Sequence, residues 1–334
     1  MRKLQRDLSS ARVLFVFGAC SLLTIACSPF PREPVVKTSY YHTYGPQIAE
    51  ADWQSRGATG EVVETLKNGV EVRREYAGGV LHGMSSWTYP HTKVIERIEQ
   101  YQNGNRVLAS RNYETGSPQF QEEWRPDDVY IARAWYDDGS PRIIEEYRKD
   151  LLSTGQYFTV DGEIEASVVA GNGTKVERSR HGELLNREQI SGSSVIAVES
   201  YYPQGQLREV IAYQDGKRHG QSRRYCESGE PLSIEQWTKG VVDGAQLFFE
   251  GGQPIRQVSY AMGKKDGLEL HFRPGTEEVV EEISWRQDLR HGPSKTYLAD
   301  QVLTEWYWRG GEVPEEQFVA RNAMNVAVAT TRKP

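Results

Sequence analysis

No apolar stretch of this chain is long enough to cross a bilayer as a helix. The longest, residues 13–26 of 334, is 14 residues, or about 21 Å of helix against about 30 Å of hydrocarbon, which falls short of a permanent transmembrane anchor. Cysteine is scarce, with Cys20, Cys27 and Cys226 alone, too few for a disulfide framework. Positive charge is not in excess either: 40 basic side chains stand against 46 acidic ones. That balance argues against nucleic acid as a partner and against adhesion to anionic lipid headgroups. Apolar residues make up 38%, low for a compact globule. No nucleophile elbow, Walker loop, paired CxxC or His-Glu-x-x-His motif occurs, so no catalytic residue, metal ligand or cofactor is assigned.

What the chain does have is a spacing. An aromatic residue is followed three positions later by Gly and four after that by a second Gly: Tyr76, Gly79, Gly83; Tyr213, Gly216, Gly220; Trp237, Gly240, Gly244; Tyr260, Gly263, Gly267. The last three sets follow one another at intervals of 23 to 24 residues, and further aromatic landmarks stand at Tyr101, Trp124, Tyr147, Trp285 and Tyr307. Such a period marks an array of one small unit, with function on an extended surface. Between Tyr147 and Tyr213 the aromatics are lost, and two worn units are placed around Val169 and Ile190. A second aromatic at mid-unit, as in Tyr113, Tyr136 and Tyr202, makes half a unit one strand and one turn. The segment after Tyr202 puts Leu207, Glu209 and Ile211 on one face and Arg208, Val210 and Ala212 on the other. Neither face is purely apolar, so alternation predicts a strand without locating a deep core.

The N-terminus carries a basic segment, Arg2, Lys3, Arg6 and Arg12, before the apolar run, the pattern of an export signal. Its end, Leu23-Thr24-Ile25-Ala26-Cys27, resembles the lipobox of bacterial lipoproteins, with Thr24 where that family has an aliphatic. The resemblance implies cleavage before Cys27 and its lipidation, with palmitate-type chains; several chains anchor stably where one does not. Ser28 after the Cys implies, by the same resemblance, the outer membrane. Removing residues 1–26 leaves 36 basic against 45 acidic side chains, a net charge of −9. Residues 27–60, with Pro29, Pro31, Pro34 and Pro46, read as a tether, residues 61–318 as the array with a degenerate stretch at 150–198, and residues 319–334 as a flexible tail.

The run Tyr213-Gln-Asp-Gly216-Lys-Arg-His-Gly220-Gln-Ser-Arg-Arg-Tyr225, preceded by Tyr201-Tyr202-Pro203-Gln204-Gly205-Gln206-Leu207, resembles the MORN repeat in its bacterial variant. The likeness is strong over 201–297, fair over 76–147 and poor over 150–198. It implies an all-β fold, an elongated single-layer antiparallel sheet of tandem hairpins, with rows of aromatics as its core. It also implies a scaffolding or protein-contact role. Four histidines stand beside a glycine, His82, His181, His219 and His291. Since Asp243 and Asp266 fill the same spot in other units, they are read as turn residues suited to positive φ rather than as a metal ladder. Cys226 is read as a small substitute for an aromatic. The functional expectation is a lipoprotein, membrane-anchored through Cys27, whose sheet binds protein partners or supports an envelope assembly. An exported antitoxin- or immunity-like module and an enzyme acting on envelope polymers, with its pocket in 150–198, are the alternatives.

Overall fold

The computed structural model describes residues 33–43 and 45–331, the last seven by backbone alone. They form 26 strands and two helices. Strand pairs with following strand, antiparallel throughout, in one long open sheet running from Val35–His42 to Gly311–Val313. There are two departures. Gln47–Ile48 folds back onto the outer edge of the first strand at Tyr40 and Tyr41, and Lys217–Arg218 with Gly220–Tyr225 are two pieces of one strand broken at His219. The all-β, tandem-hairpin expectation is met.

Two kinds of turn alternate along the sheet. The first is a two-residue turn with both φ positive, as at Asn103–Gly104 (50°, 80°), Asp215–Gly216 (51°, 71°), Lys239–Gly240 (51°, 90°) and Met262–Gly263 (54°, 83°). This is the conformation whose twist suits a hairpin, and glycine adopts it freely. The second is longer: the N–H of its first residue donates to the carbonyl of the residue four on, as from Tyr113 to Ser117, Tyr136 to Ser140, Tyr202 to Gln206 and Cys226 to Glu230. The first glycine of the spacing is therefore a turn residue. The second is not. Gly83, Gly244 and Gly267 lie inside strands at φ 98°, 120° and 110°, opposite register shifts at Arg74/Tyr76, Glu235/Trp237 and Val258/Tyr260. A Cβ at Gly244 would come within 3.1 Å of Gln236, and one at Gly267 within 3.0 Å of Ser259, so bulge and glycine belong together.

One cross-strand row of buried residues runs along much of the sheet. It reads Ser85, Glu99, Ala109, Glu122, Ala132, Glu145, Gly155, each opposite the next. Beyond the middle of the chain it resumes as Ser222, Glu235, Gln246, Val258, Glu269, Ile283, Ser294, Glu305. In the first segment small residues alternate with glutamates, and most members of the row are under 9% exposed. The landmark aromatics sit two residues further on and are half-buried, so they cover this row rather than constitute it, which corrects the expectation of an aromatic core. Among the described residues the buried aromatics are Tyr136, Tyr157 and Trp53.

The bounds of the array also move. The stretch expected to be a tether holds the first strand, Gln47–Ile48 and the helix Glu50–Ser55. That helix turns Trp53 under Tyr40 and Tyr76, with ring centroids 5.7 and 6.3 Å away. The expected tail is mostly the helix Glu315–Thr331, which follows Pro314 with two acidic residues in its first turn, as the helix dipole favours. Its Phe318 packs on Trp306, Trp308 and His291 at 5.1 to 5.6 Å. Cys27 and residues 1–26 lie outside the described residues.

Candidate functional site

Many of the strand aromatics have a carboxylate anchor two residues before them, although Tyr213, Tyr260 and Trp285 have Ile211, Val258 and Ile283 there instead. The hydroxyls of Tyr101, Tyr147, Tyr201 and Tyr307 donate to Glu99, Glu145, Glu199 and Glu305 at 2.6 to 2.8 Å, and Trp237 Nε1 donates to Glu235 at 3.1 Å. Adjacent same-face side chains are two apart on a strand, so Glu-x-aromatic places carboxylate and ring side by side. Burial, and after it the hydrogen bond to Glu99, pushes the Tyr101 hydroxyl up to about 12; Tyr201 beside Glu199 goes the same way. Cations lie over several rings: Arg106 on Trp124, Arg218 on Trp237 and Lys265 on Trp285, at 4.9, 5.0 and 4.4 Å. Sequence reading missed these carboxylates as a set, though Glu-x-aromatic recurs visibly at Glu99, Glu122, Glu145, Glu199, Glu235 and Glu305.

The histidines are acceptors between units. Nδ1 of His82, His219 and His291 accepts the N–H of Asn103, Lys239 and Arg309, at 3.3 to 3.5 Å. Asp243 does the same for Met262 at 3.2 Å. All four donors are first turn residues with φ near +50°, whose N–H points out of the hairpin toward the preceding unit. His and Asp therefore share the position because each offers an acceptor of the right reach; the glycine after them, not they, takes positive φ. His181 belongs elsewhere, in the longer turn that closes between Ser179 and Glu183. The second turn residues complete the link, with Gly79, Gly240 and Gly263 donating to the carbonyls of Ala58, Arg218 and Val242 at 2.8 to 2.9 Å. Along the opposite margin the hydroxyls of Tyr89, Tyr113, Tyr136 and Tyr202 reach the carbonyls of Asn112, Trp135, Phe158 and Tyr225. Both margins are thus bonded at one-unit spacing, and the period of the sequence is the reach of these bonds.

The degenerate stretch is built differently. Val168 replaces the expected landmark at 169 and lies at 0% exposure. Leu152, Tyr157, Val176 and Ile190 join it in a core cluster with Ala134 and Ile143. Within it Lys175 Nζ meets Glu145 at 2.9 Å, both nearly buried, and Glu145 also accepts from Tyr147 and Tyr157. Burial acts to raise the Glu145 carboxyl, but Lys175 and the two tyrosines outweigh it and hold the group below the ordinary range. Glu188, opposite Lys175 in register, is pushed up by burial, with Lys175 only partly opposing. Two carboxylates shifted in opposite directions are what acid–base chemistry uses. Here they face the interior: the shallow cavities beside Tyr41 and His82, beside Tyr113 and Arg180, and beside Trp306 and Pro314 are not lined by them. Among the described residues no group of three metal-ligating side chains converges.

Among the described residues no helix is long and apolar enough to cross a membrane. No protein-family model matches the chain, and no curated protein does. Solved structures of the TcdB2-TccC3 complex are 13% identical over 80% of this chain, with a TM-score of 0.14. The crystal structure of TcdB2-TccC3-Cdc42 is likewise 13% identical, over 76% of this chain and at a TM-score of 0.14. This chain spans 16 to 17% of those chains, and at such TM-scores the likeness carries no argument.

Proposed function

We propose that the chain is a MORN-like repeat lipoprotein, exported, lipidated at Cys27 and held on a membrane, whose sheet is a non-catalytic scaffold for protein contact. The observation that supports this is the double set of bonds between neighbouring units. Turns, tyrosines and His or Asp acceptors commit the polar groups of both margins to joining one unit to the next, and the carboxylates of the central row to anchoring aromatics. A sheet so bonded is stiff, and it presents charged side chains over many strands. Pairs such as Arg73 with Glu61, Arg125 with Glu123 and Arg148 with Glu146 lie on its solvent side, and exposed pairs of this kind contribute little to folding and leave the surface free for recognition. The shallow cavities suit broad contact better than a small substrate.

Labelled palmitate and membrane fractionation test the anchor. The native protein takes up label and sediments with membranes; Cys27→Ser takes up none and is released. A Cys27→Ser protein that still labels and sediments removes the proposal.

A further inference from the structure

The two end strands of the sheet are each covered along half of their outer edge. On the first strand, Gln47–Ile48 pairs with Tyr40 and Tyr41, and residues 35–38 are exposed, Val36 at 62%. On the penultimate strand, Gly311–Val313 pairs with Trp306, Tyr307 and Trp308, and residues 301–305 are exposed, with Val302 and Leu303 at 54%. In both strands the uncovered half is the N-terminal one. Among the described residues no strand pairs with the rest of either edge, and a row of unpaired backbone groups beside exposed apolar side chains is a template for another strand.

We propose that the partner is a second copy of this chain, the bare half of one copy's first strand pairing antiparallel with the bare half of the other's penultimate strand. The covers decide the direction. In an antiparallel joint the two short covering strands fall at opposite ends and the halves interlock; in a parallel joint both would occupy the same end of the same plane. Antiparallel pairing also continues the alternation of the whole sheet. The register follows from the faces. Tyr40 lies opposite Val62 and Val62 opposite Arg74, which leads into the central row, and Glu305 closes that row at the far end. Keeping the face continuous, with Thr38 against Leu303, fixes the parity of the pairing, since a one-residue slip would turn every side chain over; Val36 lies at the register shift between Val35 and Lys37, outside this alternation.

Charge agrees with this arrangement. The start of the first strand carries Lys37, and Lys67 is tied to it by donating its N–H to the carbonyl of Pro34. The antiparallel joint brings this end to a notch of about 570 Å³ between Trp306 and Pro314, lined by Glu305, Glu312 and Glu315. The joint uses two different surfaces and leaves one of each free, so copies add in an open chain rather than closing as a dimer.

Sedimentation velocity of the full-length protein in mild detergent, over about a hundredfold range of concentration, tests this. The wild type gains mass with concentration and passes beyond the dimer. Val36→Lys and Leu303→Lys each put a charge on one bare edge; each alone stays monomeric, its association weakened at least about tenfold. Mixed in equal amounts they form dimers and nothing longer, because each retains the edge that the other lacks. The melting curve of each variant matches the wild type; if Leu303→Lys shifts it, Thr304→Lys on the same edge takes its place. A wild type monomeric at every concentration overturns the proposal, as does a variant that assembles like the wild type or a mixture that stays monomeric.

Discussion

Residues 201–308 and residues 150–198 are the same fold built on two economies of side chains. In the first, ring, carboxylate and cation come together at Trp237 with Glu235 and Arg218, and at Tyr307 with Glu305 and Arg290. Each set is half-buried and self-contained. In the second the landmark rings are gone, and Val168, Val176 and Ile190 pack with Tyr157 around one buried ion pair. The turns nevertheless persist: Ala170–Gly171 and Gly192–Ser193 keep positive φ, and Gly171 and Ser193 still bond back to Ser153 and Gly171. The turn ladder therefore defines the unit, and what fills the centre of the sheet is free to change.

The largest effect that separates the two regions comes from their lysines. Lys175→Met leaves Glu145 buried and Glu188 half-buried without their cation and costs about 3–5 kcal/mol in urea unfolding, the range for breaking a buried pair. Lys265→Met removes a lysine that is more exposed and whose partner Glu269 keeps His271 at 3.1 Å; there the cost is about 1 kcal/mol or less. Equal costs would show that the degenerate stretch is no more tightly committed than the regular one.

Much of the fold was legible in the sequence, and one layer of it was not. Paired turn residues such as Asp215–Gly216 state their conformation locally, so unit, period and strand order could be read. The central row could not. Ser85, Ala109, Glu99 and Ile283 share no hydropathy, and a carboxylate such as Glu145 reads as a solvated strand residue until its tyrosines and lysine, which come from three strands, are brought together. The first strand was hidden for a related reason: Pro34 and Pro46 flank it, and proline is tolerated at the ends of an edge strand as readily as in a spacer. The helix after Pro314 could have been found from Glu315 and Glu316.

Within the regular region two tryptophans sharpen the role of the carboxylate. Trp237 donates to Glu235, whereas Trp285 has Ile283 two residues before it, and its Nε1 is buried with no hydrogen-bond partner among the described residues. Both lose ring area on replacement by Phe, but only Trp237→Phe also loses a charge-assisted bond, so it is the more destabilising by about 1–2 kcal/mol. Thermal unfolding of the two variants side by side reads the difference. If they lose the same stability, the anchors are incidental.

Glu145 and Glu188 make opposite predictions with pH. Glu145 has its folded-state pKa lowered, so its contribution is present above the ordinary carboxyl range and is lost as pH falls through the folded value. Glu188 is raised: between the ordinary value and its folded one the native state keeps a proton that the unfolded chain has released, and stability falls as pH rises through that window. Glu188→Gln is therefore at least as stable as the wild type at neutral pH and loses any advantage in acid. Glu145→Gln is less stable at neutral pH, and its deficit narrows in acid. Melting curves at neutral pH and at about pH 4, near the ordinary carboxyl value, distinguish them.

The smallest effect concerns a position where the margin ladder is interrupted. Cys226 opens a turn with the same two backbone bonds as Tyr202, to Glu230 and from Gly229, but its thiol reaches only Ser228, at 2.9 Å. Tyrosines at this place in other units donate to a carbonyl 22 or 23 residues further on, which from position 226 falls at Phe248 or Phe249. Cys226→Tyr restores a donor of the right length at the right place and raises stability by about 0.5–1 kcal/mol, the net worth of one such hydrogen bond. Cys226→Phe supplies the same ring without the hydroxyl and separates packing from bonding. If Phe stabilises as much as Tyr, the reach from unit to unit is not what the tyrosines of this margin contribute.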